Sequence, residues 1–289
     1  MNKAPTLPAA HRALPPEGAL AASGRPSGGS EAPTLPAAHG ALPPEGALAA
    51  LGRRGGSAVI VSPRTRIKIC GLTREQDVDA AVAAGVDAIG FVLYPPSPRY
   101  VAPGRAAELA RRLPPMLTPV LLFVNARAND ILAASAGVPG ATLQFHGDES
   151  AAECAAIAAH CGRPFWRAAR ISPRAAEPFD LVNFSHDYTA AQAILLDAET
   201  PGFGGGGKTF NWSRLPPNVP AHLVLSGGLA PANVSDGIAA LRGRGYSLAV
   251  DVSSGVEAVG PDGKPVKGIK DADKIHRFVA AVRAADASV

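Results

Sequence analysis

The side chains best equipped for chemistry stand at the ends of short apolar runs. Cys70 closes RIKIC at 66–70, Asp197 closes AILLD at 193–197, and Asp251 ends SLAVDV at 247–252 but for one valine. Side chains alternate along a strand, so Ile67 and Ile69 point one way while Lys68 and Cys70 point the other. A thiol and carboxylates brought together make an acid/base set. Lys68 on the same face is expected to lower the thiol pKa and support a thiolate near neutral pH, which makes Cys70 a candidate base or nucleophile. The plainer alternatives stay open: Cys70 as a small buried apolar residue, and each aspartate as a turn or cap.

Two further patterns suit an anionic ligand. The stretches 226–233, SGGLAPAN, and 251–257, DVSSGVE, carry glycines and serines. Glycines let the backbone approach closely, and free N–H groups at loops and helix starts suit a phosphate. Arg99, in a proline-rich turn, has the fork that pairs with a carboxylate, although a loop arginine is commonly just solvated. His146 lacks a second ligand at metal spacing and reads as structural or peripheral to a substrate. Residues 202–209, GFGGGGKT, match the phosphate-loop pattern literally. That loop must open into a long helix, whereas here Pro216 and Pro217 follow within two turns, so a mobile flap over the substrate is the better reading.

What positions these residues is an alternation of strand-like and helix-like runs. Strands are expected at 66–70, 88–92, 118–124, 142–145, 164–168, 193–197, 221–225 and 247–252, and helices at 74–84, 103–113, 129–136, 150–160, 232–242 and 271–284, with weaker helical patterns near 174–184 and 211–215. Thr73 and Gln76 have capping-box spacing ahead of the first helix. Eight near-continuous apolar strands alternating with helices predict a parallel sheet closed as a single (β/α)₈ barrel over residues 63–289. In a barrel the strand ends share one mouth, and phosphate sites follow strands 7 and 8. A doubly wound open sheet is the rival, but it would carry an early G-x-G-x-x-G where this chain has Cys70-Gly71-Leu72-Thr73.

At 289 residues, 47% hydrophobic, with a net charge of +4, the chain can bury a full core and shows no dense basic run of the kind that binds nucleic acid. Three cysteines make no disulfide framework; Cys154 and Cys161 read as reduced, core-facing thiols without zinc spacing. No apolar run approaches bilayer length and the N-terminus lacks a signal-peptide core, so a cytoplasmic protein is expected, with no membrane partner. Residues 4–25 recur at 32–53 with changes only at Arg12/Gly40 and Ser23/Leu51. Two proline-bearing copies cannot stack into a core, so residues 1–62 read as a disordered low-complexity extension. The only methionines are Met1 and Met116. Translation beginning at Val59 or Val61 would therefore yield the compact domain alone, an expectation that an intact repeat in the mass spectrum of the natively expressed protein would exclude.

Taken in order, KICGLT, FVLYPPSPRYV, LQFHGDE, LLDAETPGFGGGGKTFNW, LSGGLAPANV and DVSSGVE closely resemble the phosphoribosylanthranilate isomerase family of tryptophan biosynthesis. The resemblance runs from Lys68 to Glu257 and leaves out the repeat. It implies an Amadori rearrangement without metal or cofactor on a small-molecule substrate. Asp197 would be the general acid on the furanose ring oxygen and Cys70 the base at C2′ of the sugar. Arg99 would hold the anthranilate carboxylate, backbone around Gly228, Ser253, Ser254 and Gly255 the phosphate, and Asp251 would contact the sugar or Cys70. A monomer is expected, with a homodimer as the alternative. Other phosphate-sugar barrels would need lysine and glutamate, or paired His/Asp ligands, at strand ends, and neither set is visible. The remaining rival is a silent phosphate-binding scaffold whose repeat recruits partners.

Overall fold

Eight strands close on themselves in chain order. The computed structural model describes residues 64–172, 177–198 and 211–288. In these, β1 (Arg66–Cys70), β2 (Ala88–Val92), β3 (Thr118–Phe123), β4 (Thr142–Phe145), β5 (Phe165–Ile171), β6 (Ala193–Ala198), β7 (His222–Leu225) and β8 (Ser247–Val252) form a closed barrel. Every neighbouring pair is parallel, and β8 returns to β1 with Lys68 opposite Asp251. The expected (β/α)₈ barrel is therefore present.

Strand alternation sorts the core into two regions. Ile67 and Ile69 pack outward with Leu72, Val78, Ile275 and Phe278 in the large cluster between strands and helices. The opposite face points into the barrel, where Cys70 meets Val92, Leu122 and Val124, and Leu195 meets Ala168, Ala193 and Val224. Both faces of each strand are thus covered, which is why the strands read as nearly unbroken apolar runs.

The helices are α1 (Glu75–Ala83), α2 (Pro103–Ala110), α3 (Ala128–Ala136), α4 (Ala151–Cys161), α5 (Leu181–Asp187), α6 (Val234–Leu241) and α7 (Ala272–Ala287). Three details depart from expectation. The helix α1 has no capping box: its N-cap is Arg74 without a side-chain cap, and the Thr73 hydroxyl donates instead to the Gly268 carbonyl at 2.7 Å. A true capping box sits at Ser150 and Glu153 before α4, which ends on Gly162 in the left-handed region at φ 60°. The helix α5 begins later than its pattern suggests, because the Asp180 carboxylate accepts the Asn183 N–H and caps the helix there.

A feature the strand reading missed follows β8. Strands β9 (Glu257–Val259) and β10 (Pro265–Lys270) make a separate antiparallel hairpin. Its signal was available in Pro261-Asp262-Gly263, where Gly263 takes φ 75°. Cys154 is buried as expected, its thiol pushed up to about 12 by that burial, while Cys161 is only half-buried. The extension 1–62 and the flap 202–209 lie outside the described residues. None of the described helices is long and apolar enough to cross a membrane.

Candidate active site

Cys70 stands at the last position of β1, beside a buried ion pair. Lys68 Nζ lies 2.9 Å from Asp251 Oδ1 across the β1–β8 register, both side chains almost wholly buried. Gly90 on β2 makes room for this group: a Cβ there would come within 2.7 Å of Cys70 Sγ and 3.1 Å of Lys68 Nζ. Thiol and ammonium therefore crowd one point inside the barrel. Asp251 was expected to touch the sugar or Cys70; its close partner is Lys68, and it acts on Cys70 through its charge.

These neighbours overturn the expected lowering of the Cys70 pKa. Burial pushes the thiol up, Lys68 pulls it down, and Asp251 pushes it up again, for a net rise. Lys68 shows the converse balance: burial opposes its charge, but Asp251 and Cys70 hold it above the ordinary lysine value. A permanent cation thus sits beside a thiol that is protonated at rest. The lysine is equipped to stabilise a thiolate once it forms, rather than to maintain one.

Asp197, next to last in β6, is buried and faces the interior. Its Oδ2 lies 3.0 Å from His146 Nε2, just beyond β4, which ties His146 to Asp197. Strand alternation already put Gln144 and His146 on one face, but nothing local tied that face to β6.

Arg99, between β2 and α2, is already engaged. Its Nε and Nη2 donate to the two Glu257 oxygens at 2.7 and 2.9 Å, all of them buried. Glu257 in turn accepts from Lys270 Nζ at 3.3 Å, and Lys270 also donates to the Ser253 carbonyl at 2.9 Å and to Ser253 Oγ at 3.2 Å. Sequence reasoning missed both Glu257 and Lys270, since the hairpin that brings them together was itself missed. Gly71, at φ 74°, is where these groups converge: a Cβ there would meet Arg99 Cδ at 2.6 Å and Ser253 Oγ at 3.2 Å. Cys70, Arg99 and Ser253 therefore border one turn.

The two anion-loop candidates touch. A Cβ on Gly255 would fall 1.9 Å from the Leu229 carbonyl oxygen, so only glycine lets the loop after β8 lie against the loop after β7. Gly228 sits in the latter at φ 69°, its carbonyl accepting from Asn233 Nδ2 at 3.0 Å. Ser254 opens a 3₁₀ turn, Ser254–Val256, whose first N–H groups have no partner within the turn. No described contact joins Asp197 to Cys70; they share the mouth through their places at strand ends. A cavity of about 610 Å³ opens at the opposite end, lined by Arg66, Asp87, His222 and Ser247 among others. Strand starts in such barrels serve stability, so the chemistry belongs to the mouth.

Burial brings Lys270 down to about 8, against the upward pull of Glu257. A lysine with a lowered pKa is a cation below that value and neutral above it. The Ser253 loop should therefore lose its charged tether as pH rises past about 8. Affinity for inorganic phosphate, read as competitive inhibition, is expected to weaken across pH 7 to 9.5, and Lys270→Met to be weak and flat over that range. A wild-type profile as flat as the mutant's would rule out this tether.

Comparison with known proteins points to one family. Residues 67–281 match the family model described as N-(5'phosphoribosyl)anthranilate (PRA) isomerase. The N-(5'-phosphoribosyl)anthranilate isomerase of Methylibium petroleiphilum is 58% identical over 226 residues, covering 78% of this chain and 97% of its own. A phosphoribosyl anthranilate isomerase solved in complex with reduced 1-(o-carboxyphenylamino)-1-deoxyribulose 5-phosphate superposes with a TM-score of 0.59 at 34% identity, covering 76% of this chain and 99% of that one. A structure of monomers generated from the dimeric isomerase of Thermotoga maritima gives 0.60 at 34%, with the same coverage.

Proposed function

The chain belongs to the N-(5'-phosphoribosyl)anthranilate isomerase family, and from that premise we propose how its mouth divides the labour of the reaction. It converts N-(5-phosphoribosyl)anthranilate to 1-(2-carboxyphenylamino)-1-deoxyribulose 5-phosphate, an aldose–ketose isomerisation in tryptophan biosynthesis. Asp197 in its protonated form gives a proton to the furanose ring oxygen. The C1′–O bond breaks, and the anthranilate nitrogen and C1′ form a Schiff base. Cys70 as thiolate then removes the C2′ proton, the electron pair moves toward nitrogen, and the enolamine tautomerises to the ketone. Protons lost and gained balance, as an isomerisation requires.

The observation that carries this reading is a buried thiol with an adjacent cation at one strand end and a buried carboxyl at another. Lys68 offsets the charge of the Cys70 thiolate when it forms, and Asp251 keeps Lys68 in place. Gly228, Ser253, Ser254 and Gly255 present backbone to the phosphate. Arg99 receives the anthranilate carboxylate on its Nη1 edge, Glu257 holding the Nε–Nη2 edge. Arg99→Ala would strip Glu257 of its bidentate partner and leave Lys270 alone against that buried charge, so Arg99→Lys is the cleaner probe. It should raise KM more than it lowers kcat, and an unchanged KM would remove the contact.

Residues 63–289 form the catalytic unit, acting in the cytoplasm as a monomer, since every proposed role is filled within one chain. Sedimentation at twice the chain mass would make it a homodimer, as the Thermotoga maritima relative is described. The decisive assay is decay of anthranilate fluorescence, with substrate made in situ from anthranilate and phosphoribosyl pyrophosphate. The full chain and residues 63–289 are expected to turn over equally fast. No decay above the spontaneous rate from the folded protein would favour the scaffold reading.

A further inference from the structure

His146 does more at Asp197 than fill space. Its Nε2 lies 3.0 Å from Asp197 Oδ2, and on the other side of the ring Nδ1 lies 2.9 Å from Gln144 Nε2. All three side chains are buried, Gln144 completely. Strand β4 neighbours β3 and β5, not β6, so the contact to Asp197 spans the barrel interior instead of following a strand pair. With the Gln144 amide nitrogen set toward the ring, Nδ1 is the accepting nitrogen and Nε2 is the one left to carry a hydrogen. That hydrogen points at the carboxyl.

We propose that His146, with its tautomer set by Gln144, is a positioning residue for Asp197: it ties down Oδ2 and leaves Oδ1 as the oxygen that exchanges a proton with the substrate. The inference rests on the reading of Asp197 as general acid. Its other oxygen has room for this task. Gly227, at φ 76°, would place a Cβ 3.0 Å from Oδ1, and the absence of that atom leaves the oxygen uncovered by a side chain there. When Oδ1 gives up its proton, Asp197 becomes a carboxylate, and the bond from His146 becomes charge-assisted and stronger. It therefore stabilises the state after proton transfer more than the state before, which is what accelerates a step.

Two polar replacements of different reach test this. His146→Asn keeps a polar group near Gln144 but is too short to reach Asp197, whereas His146→Gln can set an amide N–H close to the lost Nε2. The Asn variant should lose about 10²-fold in kcat, the usual effect of removing one preorganised donor, with KM within threefold. The Gln variant should recover at least tenfold of that loss. In an Asp197→Asn background, His146→Asn should cost nothing further, because its effect passes through Asp197. A kcat within threefold of wild type in His146→Asn, equal losses in both variants, or a full additional loss in the double mutant would each overturn the inference. Near-normal turnover in Asp197→Asn alone would instead remove the acid assignment beneath it, so the two failures are distinguishable. A His146→Leu variant, similar in volume and without a donor, should fall with His146→Asn; activity at the level of the Gln variant would overturn the proposal as well.

Discussion

Replacing Cys70 by alanine is expected to lower kcat by about 10²- to 10⁴-fold, the usual contribution of a group that transfers a proton in the transition state, with KM held within a few-fold. The expectation follows from the place of the thiol, buried at the end of β1 beside Lys68 Nζ, where loss of one sulfur would remove the proposed base and leave the loops after β7 and β8 untouched. Because burial raises its pKa above the usual 9.0, the thiolate is the minor form at neutral pH. Because Asp197 must hold a proton while Cys70 must lose one, the rate profile mixes both groups, and the thiol is read directly: thiolate absorbance of the wild type, less that of Cys70→Ala, should appear only above the usual thiol range. Full thiolate absorbance already at neutral pH would mean that Lys68 lowers the thiol pKa after all. Steady-state kinetics on Cys70→Ala, with a melting curve to confirm folding, check the assignment. Turnover near that of the wild type would end the role of Cys70 as base.

The same pair explains which parts of this enzyme were legible in its sequence. Strand alternation put Lys68 and Cys70 on one face and Ile67 and Ile69 on the other, and the barrel keeps that division. Alternation is local, so it survives folding. The sign of the Cys70 shift was not legible, because it depends on how much water the barrel excludes and on Asp251, which stands 181 positions along the chain and meets Lys68 only when β8 closes on β1. Arg99 was singled out by type, yet its bidentate hold on Glu257 depends on a hairpin that lacks a long apolar pattern. His146 shows the limit most plainly. A lone histidine at a strand end carries no spacing signal, and its meaning comes from a carboxyl 51 residues away, across the barrel interior.

Asp197→Asn should be as damaging as Cys70→Ala, about 10²- to 10⁴-fold in kcat with KM nearly kept, since asparagine fills the same space but has no acidic proton to give. The two losses should nevertheless differ in kind. In the proposed division of labour Asp197 serves ring opening, which precedes removal of the C2′ proton by Cys70. With the acid gone, ring opening becomes the slow step, and a substrate carrying deuterium at C2′ should react at nearly the rate of the ordinary one. With Cys70→Ser, where a much weaker base remains, removal of the C2′ proton becomes the slow step and deuterium should slow the reaction fully. Combining the two replacements should cost less than the product of their separate effects, because groups acting on one reaction path are not additive. A full isotope effect in Asp197→Asn would place its work at or after the C2′ step, and turnover close to normal would assign the ring-opening proton to another donor. Either result would reverse the order of events drawn from these strand ends, while leaving the barrel and the loops after β7 and β8 as they stand.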